Sequence, residues 1–239
     1  MKKSLVKTFV DAQFAVGPII PYIPQLLSLK AGKPSDGFSP SVSLIILIAN
    51  ILKVAFWFAD RFEVTLLYQS LLLILMQLIL LQALVANKVG FARKSGRQMK
   101  RSIFNDFWGW DSYRLYLLST SLIVAIVSVF SHFLYEYEWY VGGLGSLAAF
   151  FDSVLGLPQL IHNHLAKNTT GISVLMVIGW VSGDFLKVAY YLAKGVPIVF
   201  LYGAALQIAI DMIVAFQLFV LYPNENIQSL GKKYFGRKN

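Results

Sequence analysis

The chain of 239 residues contains no cysteine. Disulfides, thiol nucleophiles and thiolate metal sites are therefore excluded, while the compartment stays open, because a membrane protein needs no bridges. Charge is also scarce. Asp, Glu, Lys and Arg make up 14% of the residues, against about 25% in soluble domains. Only three histidines are present. What fills the space is apolar, 57% of the chain, where soluble proteins hold roughly 45–50%. A soluble enzyme does not fit this composition, and a chain so apolar does not stay unfolded. The length suits about seven membrane helices of roughly 20 residues with their loops.

Residues 64–87 and 115–135 carry no formal charge, and each can cross a hydrocarbon core of about 30 Å as a helix. Five further apolar stretches contain a charge or prolines: 9–29, 39–58, 140–162, 172–193 and 197–221. Only helices and closed barrels span membranes, and stretches this long without period-2 alternation exclude the barrel. The prediction is an all-α polytopic membrane protein with seven spans. The start, MKKSLVK followed by apolar residues, has the outline of a signal peptide. No small-x-small cleavage site follows and Asp11 interrupts the apolar stretch, so it reads as the first span.

Seven spans place the two ends on opposite faces. One face collects Lys30, Lys33, Lys88, Arg93, Lys94, Arg97, Lys100, Arg101, Lys167, Lys232, Lys233, Arg237 and Lys238. The other holds Lys2, Lys3, Lys7, Arg61 and Lys194, with Asp60, Glu63, Glu136 and Glu138. Thirteen basic residues against five make the first face cytosolic, with a luminal N-terminus and a cytosolic tail. The net charge of +9 then reflects topology and contact with anionic lipid headgroups. Nucleic acid is not an expected partner.

The chain repeats itself at an offset of 134. Pro24-Gln25-Leu26 returns as Pro158-Gln159-Leu160, Lys33 as Lys167, Gly37 as Gly171 and Ser39 as Ser173. Leu52-Lys53-Val54-Ala55 returns as Leu186-Lys187-Val188-Ala189. These ten columns need no gap, and Asn50 falls on the near-isosteric Asp184. The offset covers an even number of crossings, so both copies share one orientation. Two parallel three-helix bundles joined by the fourth span are expected, a plan used by transporters with sites at the repeat interface.

PYIPQLLSLKAGKPSDGFS and GLPQLIHNHLAKNTTGIS resemble the paired motifs of the PQ-loop repeat family, solute carrier family 66. Relatives in that family include cystinosin, lysosomal cationic amino-acid exporters and, more remotely, the SWEET sugar transporters. The strings ANILKVAFWFADRFEVTLLYQS and GWVSGDFLKVAYYLAKGVP resemble most the member 2 branch and its fungal relative, which antagonises loss of a lipid flippase. The resemblance runs from about residue 15 to 221. It implies the seven-helix PQ-loop/SWEET-like fold, an endosomal and trans-Golgi location, and phospholipid scrambling between leaflets. The expected organisation is a first bundle with one PQ-loop over residues 1–87, then a basic loop and linker span over 88–139. A second bundle with the other PQ-loop follows over 140–221, and a basic tail over 222–239.

Pro24 and Pro158 each remove a backbone hydrogen bond inside an apolar helix and kink it. The amides of Gln25 and Gln159 are the expected partners for the freed carbonyls. The two motifs read either as a pair of hinges or as static kinks; Pro18 and Pro21 have no counterpart at the offset. Lys53, Asp152, Asp184, Lys187 and Asp211 interrupt the spans. At about 2.5–3.5 kcal/mol each, five such groups facing lipid would cost on the order of 15 kcal/mol. They must face inward, pair or line water. Asn50 and Lys53, like Asp184 and Lys187, lie three residues apart on one helix face, and Asp184 with Lys53 is the expected pair across the bundles. A structural ion pair, a polar path and a proton relay through Asp152, Asp184 or Asp211 all fit this pattern.

His162 and His164 alternate along a helix without acidic or cysteine neighbours, which suits a surface better than a metal site. Gln69, Gln77 and Gln82 read as interhelical glue or a cavity wall. FWGWDSY (107–113) reads as an interfacial anchor, and Gly142, Gly143 and Gly145 allow close packing. No glycine loop for phosphate and no serine-centred triad occurs, so neither catalysis nor a cofactor is expected. Three functions follow: ATP-independent movement of membrane phospholipids, supporting endosome-to-Golgi traffic; transport of a small amino-acid-like solute with or without protons; and a non-transporting trafficking receptor.

Overall fold

Backbone groups in hydrocarbon must bond within their own segment, and the apolar runs do so as helices. The computed structural model describes residues 2–32, 40–95, 108–169 and 174–223. Its helices are α1 (Lys2–Val16), α2 (Tyr22–Lys30), α3 (Pro40–Ala59), α4 (Val64–Ser95), α5 (Tyr113–Leu134), α6 (Glu138–Ser153), α7 (Leu157–Ala166), α8 (Val174–Lys194) and α9 (Ile198–Phe216). Lys33, Gly37, Ser39, Gly171 and Ser173 of the repeat lie outside the described residues, as do Arg97, Lys100, Arg101 and the basic tail.

Five stretches among the described residues are long and apolar enough to cross a membrane: Pro40–Ala59, Val64–Gly90, Tyr113–Leu134, Glu138–Ala166 and Ile198–Leu221. Two of the seven expected spans are not among them. The first is divided into α1 and α2 by a 3₁₀ turn at Gly17–Ile19, and α1 carries Lys2, Lys3, Lys7 and Asp11. The other is α8, whose 21 residues include Asp184, Lys187 and Lys194.

The chain divides into two units, Met1–Phe151 and Asp152–Asn239. In the first, α4 is the central post, packed by α1, α2, α3 and α5. Leu47 and Ile51 of α3 and Leu81 and Val85 of α4 close one core with Trp108, Trp110 and Tyr116. Leu29 of α2 closes a second with Met76, Leu80, Ala83 and Leu84. The outer face of α5 is apolar, with Leu118 and Phe133 exposed, while its buried residues are Tyr116, Thr120 and Ser131. Apolar outside and polar inside is the pattern of a helix solvated by lipid.

The connection from α3 to α4 is held by Trp57, whose Nε1 donates to the Phe62 carbonyl at 2.9 Å, with the Arg61 guanidinium 4.4 Å from the Trp57 ring centre. Trp108 and Trp110 are core residues here and not interfacial anchors. The Tyr116 hydroxyl donates to both of their carbonyls, at 3.0 and 3.2 Å, and the three rings pack 5.2–5.4 Å apart. Of the three close glycines, Gly145 is the one that needs its missing side chain: a Cβ there would come within 2.8 Å of the Phe56 ring.

In the second unit α9 takes the central place, packed by α7, by α8 and by the 3₁₀ turn Val154–Gly156. Val177, Val214 and Leu218 form its core, flanked by Leu160 and Trp180. Helices α8 and α9 turn tightly through Gly195, whose φ of 61° suits glycine, and Pro197, which sets the backbone entering α9. In both units the last helix of the repeat holds the other two.

Candidate functional site

Each PQ proline stands just after a break. Pro24 lies in the first turn of α2 and Pro158 in that of α7, each preceded by a 3₁₀ turn. The carbonyl that Pro24 deprives of a partner is that of Ile20, and the Ile23 N–H reaches it at 3.2 Å. The carbonyl deprived by Pro158 is that of Val154, and the Leu157 N–H takes it. The expectation that the glutamines serve these carbonyls is corrected. A tightened i→i+3 bond already closes the gap in the backbone.

Gln159 does something else. Its Nε2 donates to Asn163 Oδ1 at 2.8 Å, Asn163 Nδ2 donates to Gln217 Oε1 at 3.0 Å, and Gln217 Nε2 donates to the Leu160 carbonyl at 3.1 Å. Asn163 and Gln217 are fully buried. This amide chain ties the second PQ segment to the start of a π-type turn, Gln217–Leu221, that ends α9. Both histidines are exposed, as expected of surface residues, and the buried side chain of this string is Asn163 between them. In the first unit a single amide serves the comparable place, Asn87 Nδ2 donating to the Leu29 carbonyl at 2.8 Å.

The second unit concentrates its charges around this segment. Lys187 of α8 donates to Asp152 Oδ2 at 3.1 Å and to Gln207 Oε1 of α9 at 2.9 Å. Its side chain remains 21% exposed and that of Asp152 17%. One helical turn before it, Asp184 is buried, and so is Asp211 of α9. Their carboxyl groups are close enough to hydrogen-bond when one of them holds a proton. Asp211 also lies against the PQ break: a Cβ on Gly156 would stand 2.9 Å from Asp211 Oδ1 and 2.9 Å from Ile210 Cγ2. Four of the six predicted polar residues, Asp152, Asp184, Lys187 and Asp211, thus belong to one cluster; Gln207 is an addition.

In the first unit Asn50 and Lys53 are both buried on α3. Asn50 Nδ2 bonds back to the Ile46 carbonyl at 2.8 Å, and its Oδ1 has no partner among the described residues. Gln77 of α4 accepts from Ser43 Oγ at 2.8 Å, while its Nε2 is likewise unmatched. Gln77 maps onto Asp211 at the same offset of 134. Where the second repeat carries two carboxyls, the first carries two amides. Gln69 is glue, its Nε2 donating to the Phe14 carbonyl of α1 at 3.0 Å. Lys53 and Asp184 belong to different units, and their expected pairing stays a proposal. Among the described residues no three His, Cys, Asp or Glu side chains are grouped as metal ligands would be.

Comparison with known proteins adds three findings. Residues 15–66 and 140–200 match the PQ loop repeat, and all ten repeated columns fall inside those two stretches. Over 84% of its length, and 67% of the relative's, the chain is 23% identical to the protein named Scramblase ANY1 of Saccharomyces cerevisiae. No solved structure matches.

Proposed function

From a membrane chain that carries two PQ-loop repeats, we propose a protein that moves phospholipids between leaflets without ATP, in endosomal and trans-Golgi membranes, and so supports endosome-to-Golgi traffic. Support comes first from likeness to a protein named a scramblase across most of both chains. The observation that carries the reading physically is the Lys187–Asp152 pair with Gln207. It sits in an apolar chain yet keeps both charged side chains partly exposed. A lipid headgroup crossing hydrocarbon needs such a surface, charged groups held by the protein and still open to one side. The tails can then remain in lipid.

The cluster offers both signs within reach of a zwitterionic headgroup. Lys187 attracts the phosphate and Asp152 an amine, while Gln207 keeps the lysine oriented. The test is purified protein in liposomes with fluorescent lipids. Dithionite should bleach well beyond the outer-leaflet half, and a plateau equal to that of protein-free vesicles would reject the reading. A second reading, transport of a small amino-acid-like solute, is favoured by the buried Asp184 and Asp211 carboxyls, which can share a proton. It predicts saturable solute uptake in the same vesicles, with lipid movement at the protein-free level.

A further inference from the structure

A groove in the first unit, between the end of α2 and the last turns of α4, has no part in the function above. Its volume is about 470 Å³, and Lys30, Ile79, Gln82, Ala86 and Gly90 are among the residues lining it. From Ile79 to Gly90 it follows twelve residues of α4, a rise of about 16 Å. That is the depth of one leaflet of a hydrocarbon core of about 30 Å. Ala86 and Gly90 leave its outer part open, and no acidic residue is among the described residues that line it.

Two polar groups in the groove are uncommitted. Lys30 stands in the last turn of α2, where a basic side chain ordinarily serves the helix's own final carbonyls. Here Asn87 Nδ2 takes the Leu29 carbonyl instead. Lys30 is exposed and makes no hydrogen bond or ion pair among the described residues. Gln82 is the second group. It is exposed within the apolar stretch Val64–Gly90 and has no hydrogen bond among the described residues. An amide facing hydrocarbon without a partner is costly, so its place calls for a polar atom brought by the surroundings.

A cation near one end, an amide donor deeper down and an apolar floor one leaflet long match a single kind of molecule. We propose that this groove binds one anionic phospholipid, with the net negative charge of its headgroup on Lys30, a glycerol ester carbonyl accepting from Gln82, and an acyl chain along Ile79. Basic pockets between membrane helices hold anionic headgroups for the same electrostatic reason. The proposal rests on the chain lying in a bilayer and not on its moving lipids between leaflets.

The experiment is native mass spectrometry of the full chain, released from detergent and titrated with phosphatidylserine or phosphatidylcholine of identical acyl chains. The unaltered protein should take up one phosphatidylserine at about fivefold lower concentration than phosphatidylcholine. Lys30→Gln should erase that preference and keep the phosphatidylcholine level. Ala86→Trp, which fills the groove from an exposed position, should remove the adduct; Ala86→Leu serves the same purpose if the larger residue prevents folding. Lys194→Gln, in the other unit, should change nothing. Equal uptake of both lipids by the unaltered protein would overturn the proposal. So would a preference that survives Lys30→Gln, or displacement of the lipid by millimolar inorganic phosphate. Because the readout is binding, an empty groove would leave the transport reading standing, and a failed liposome assay would leave the groove standing.

Discussion

Asp184 and Asp211 are the two residues at which path and scaffold make different demands. Both are buried, and Asp184 Oδ2 accepts from no donor among the described residues. A carboxamide at 184 can donate an N–H to Asp211 without any proton being supplied, so Asp184→Asn leaves the fold close to its starting stability, within about 1 kcal/mol. If the carboxyl serves moving headgroups, transbilayer movement falls about tenfold, the effect of roughly 1.4 kcal/mol on a barrier. Thermal melts and the liposome assay on one preparation decide this. A large stability loss with normal activity per folded molecule would leave only a scaffold. The charged positions were legible as interruptions of apolar runs. Their partners were not, because Asp152 and Lys187 are 35 residues apart and nothing local links them. The amide at Gln77, opposite Asp211 in the repeat, was readable from the same offset but stands well beyond the run of identities.

At the scale of elements, the two PQ segments share a break and differ in how it is tied. The prolines marked the breaks in the sequence, and the 3₁₀ turns follow from the lost N–H. The amide chain was hidden, since Asn163 meets Gln217 across 54 residues. The first repeat has Leu29 and Ala83 at those two columns, so it offers a ready exchange. Asn163→Leu strands the Gln217 carbonyl oxygen and the Gln159 amide, and should lower stability by about 2 kcal/mol. Adding Gln217→Ala removes the larger of the stranded groups, and the double variant should melt above the single one. A double variant no more stable than Asn163→Leu would mean that the chain of amides does not act as a unit. Gly156→Ala probes the other side of the same break. Its Cβ would press on Asp211 Oδ1 and Ile210 Cγ2, each 2.9 Å away, costing about 1–3 kcal/mol. In the background of Asp211→Ala the cost should fall but not vanish, because Ile210 remains; a cost unchanged in that background would show that Asp211 does not bear on the turn.

At the scale of the whole molecule, α8 is the helix on which the equivalence of the two repeats turns. Hydropathy predicts seven spans, and five stretches among the described residues stand by length and composition alone. The charges Asp184, Lys187 and Lys194 that weaken α8 as a span are the ones the transport reading needs. Membrane helices tolerate such groups when they face protein or water, and all three are engaged within this unit: Lys187 has Asp152 and Gln207, Asp184 has Asp211 beside it, and Lys194 lies 5.0 Å from the Tyr190 ring centre. With 21 residues, α8 is about 31 Å long, enough to cross. Crossing would place Asn168, before it, and Lys194, at its end, on opposite faces. The absence of native cysteine makes the measurement clean, since any thiol signal comes from an introduced residue. Asn168→Cys and Lys194→Cys, each in sealed vesicles of known orientation, should differ in labelling by an impermeant maleimide. The excess of basic residues predicts Asn168 on the cytosolic side and Lys194 on the luminal side. Equal labelling from one side would mean that α8 does not span. The second repeat would then lose its equivalence to the first, and the Lys187–Asp152 surface its place inside the bilayer.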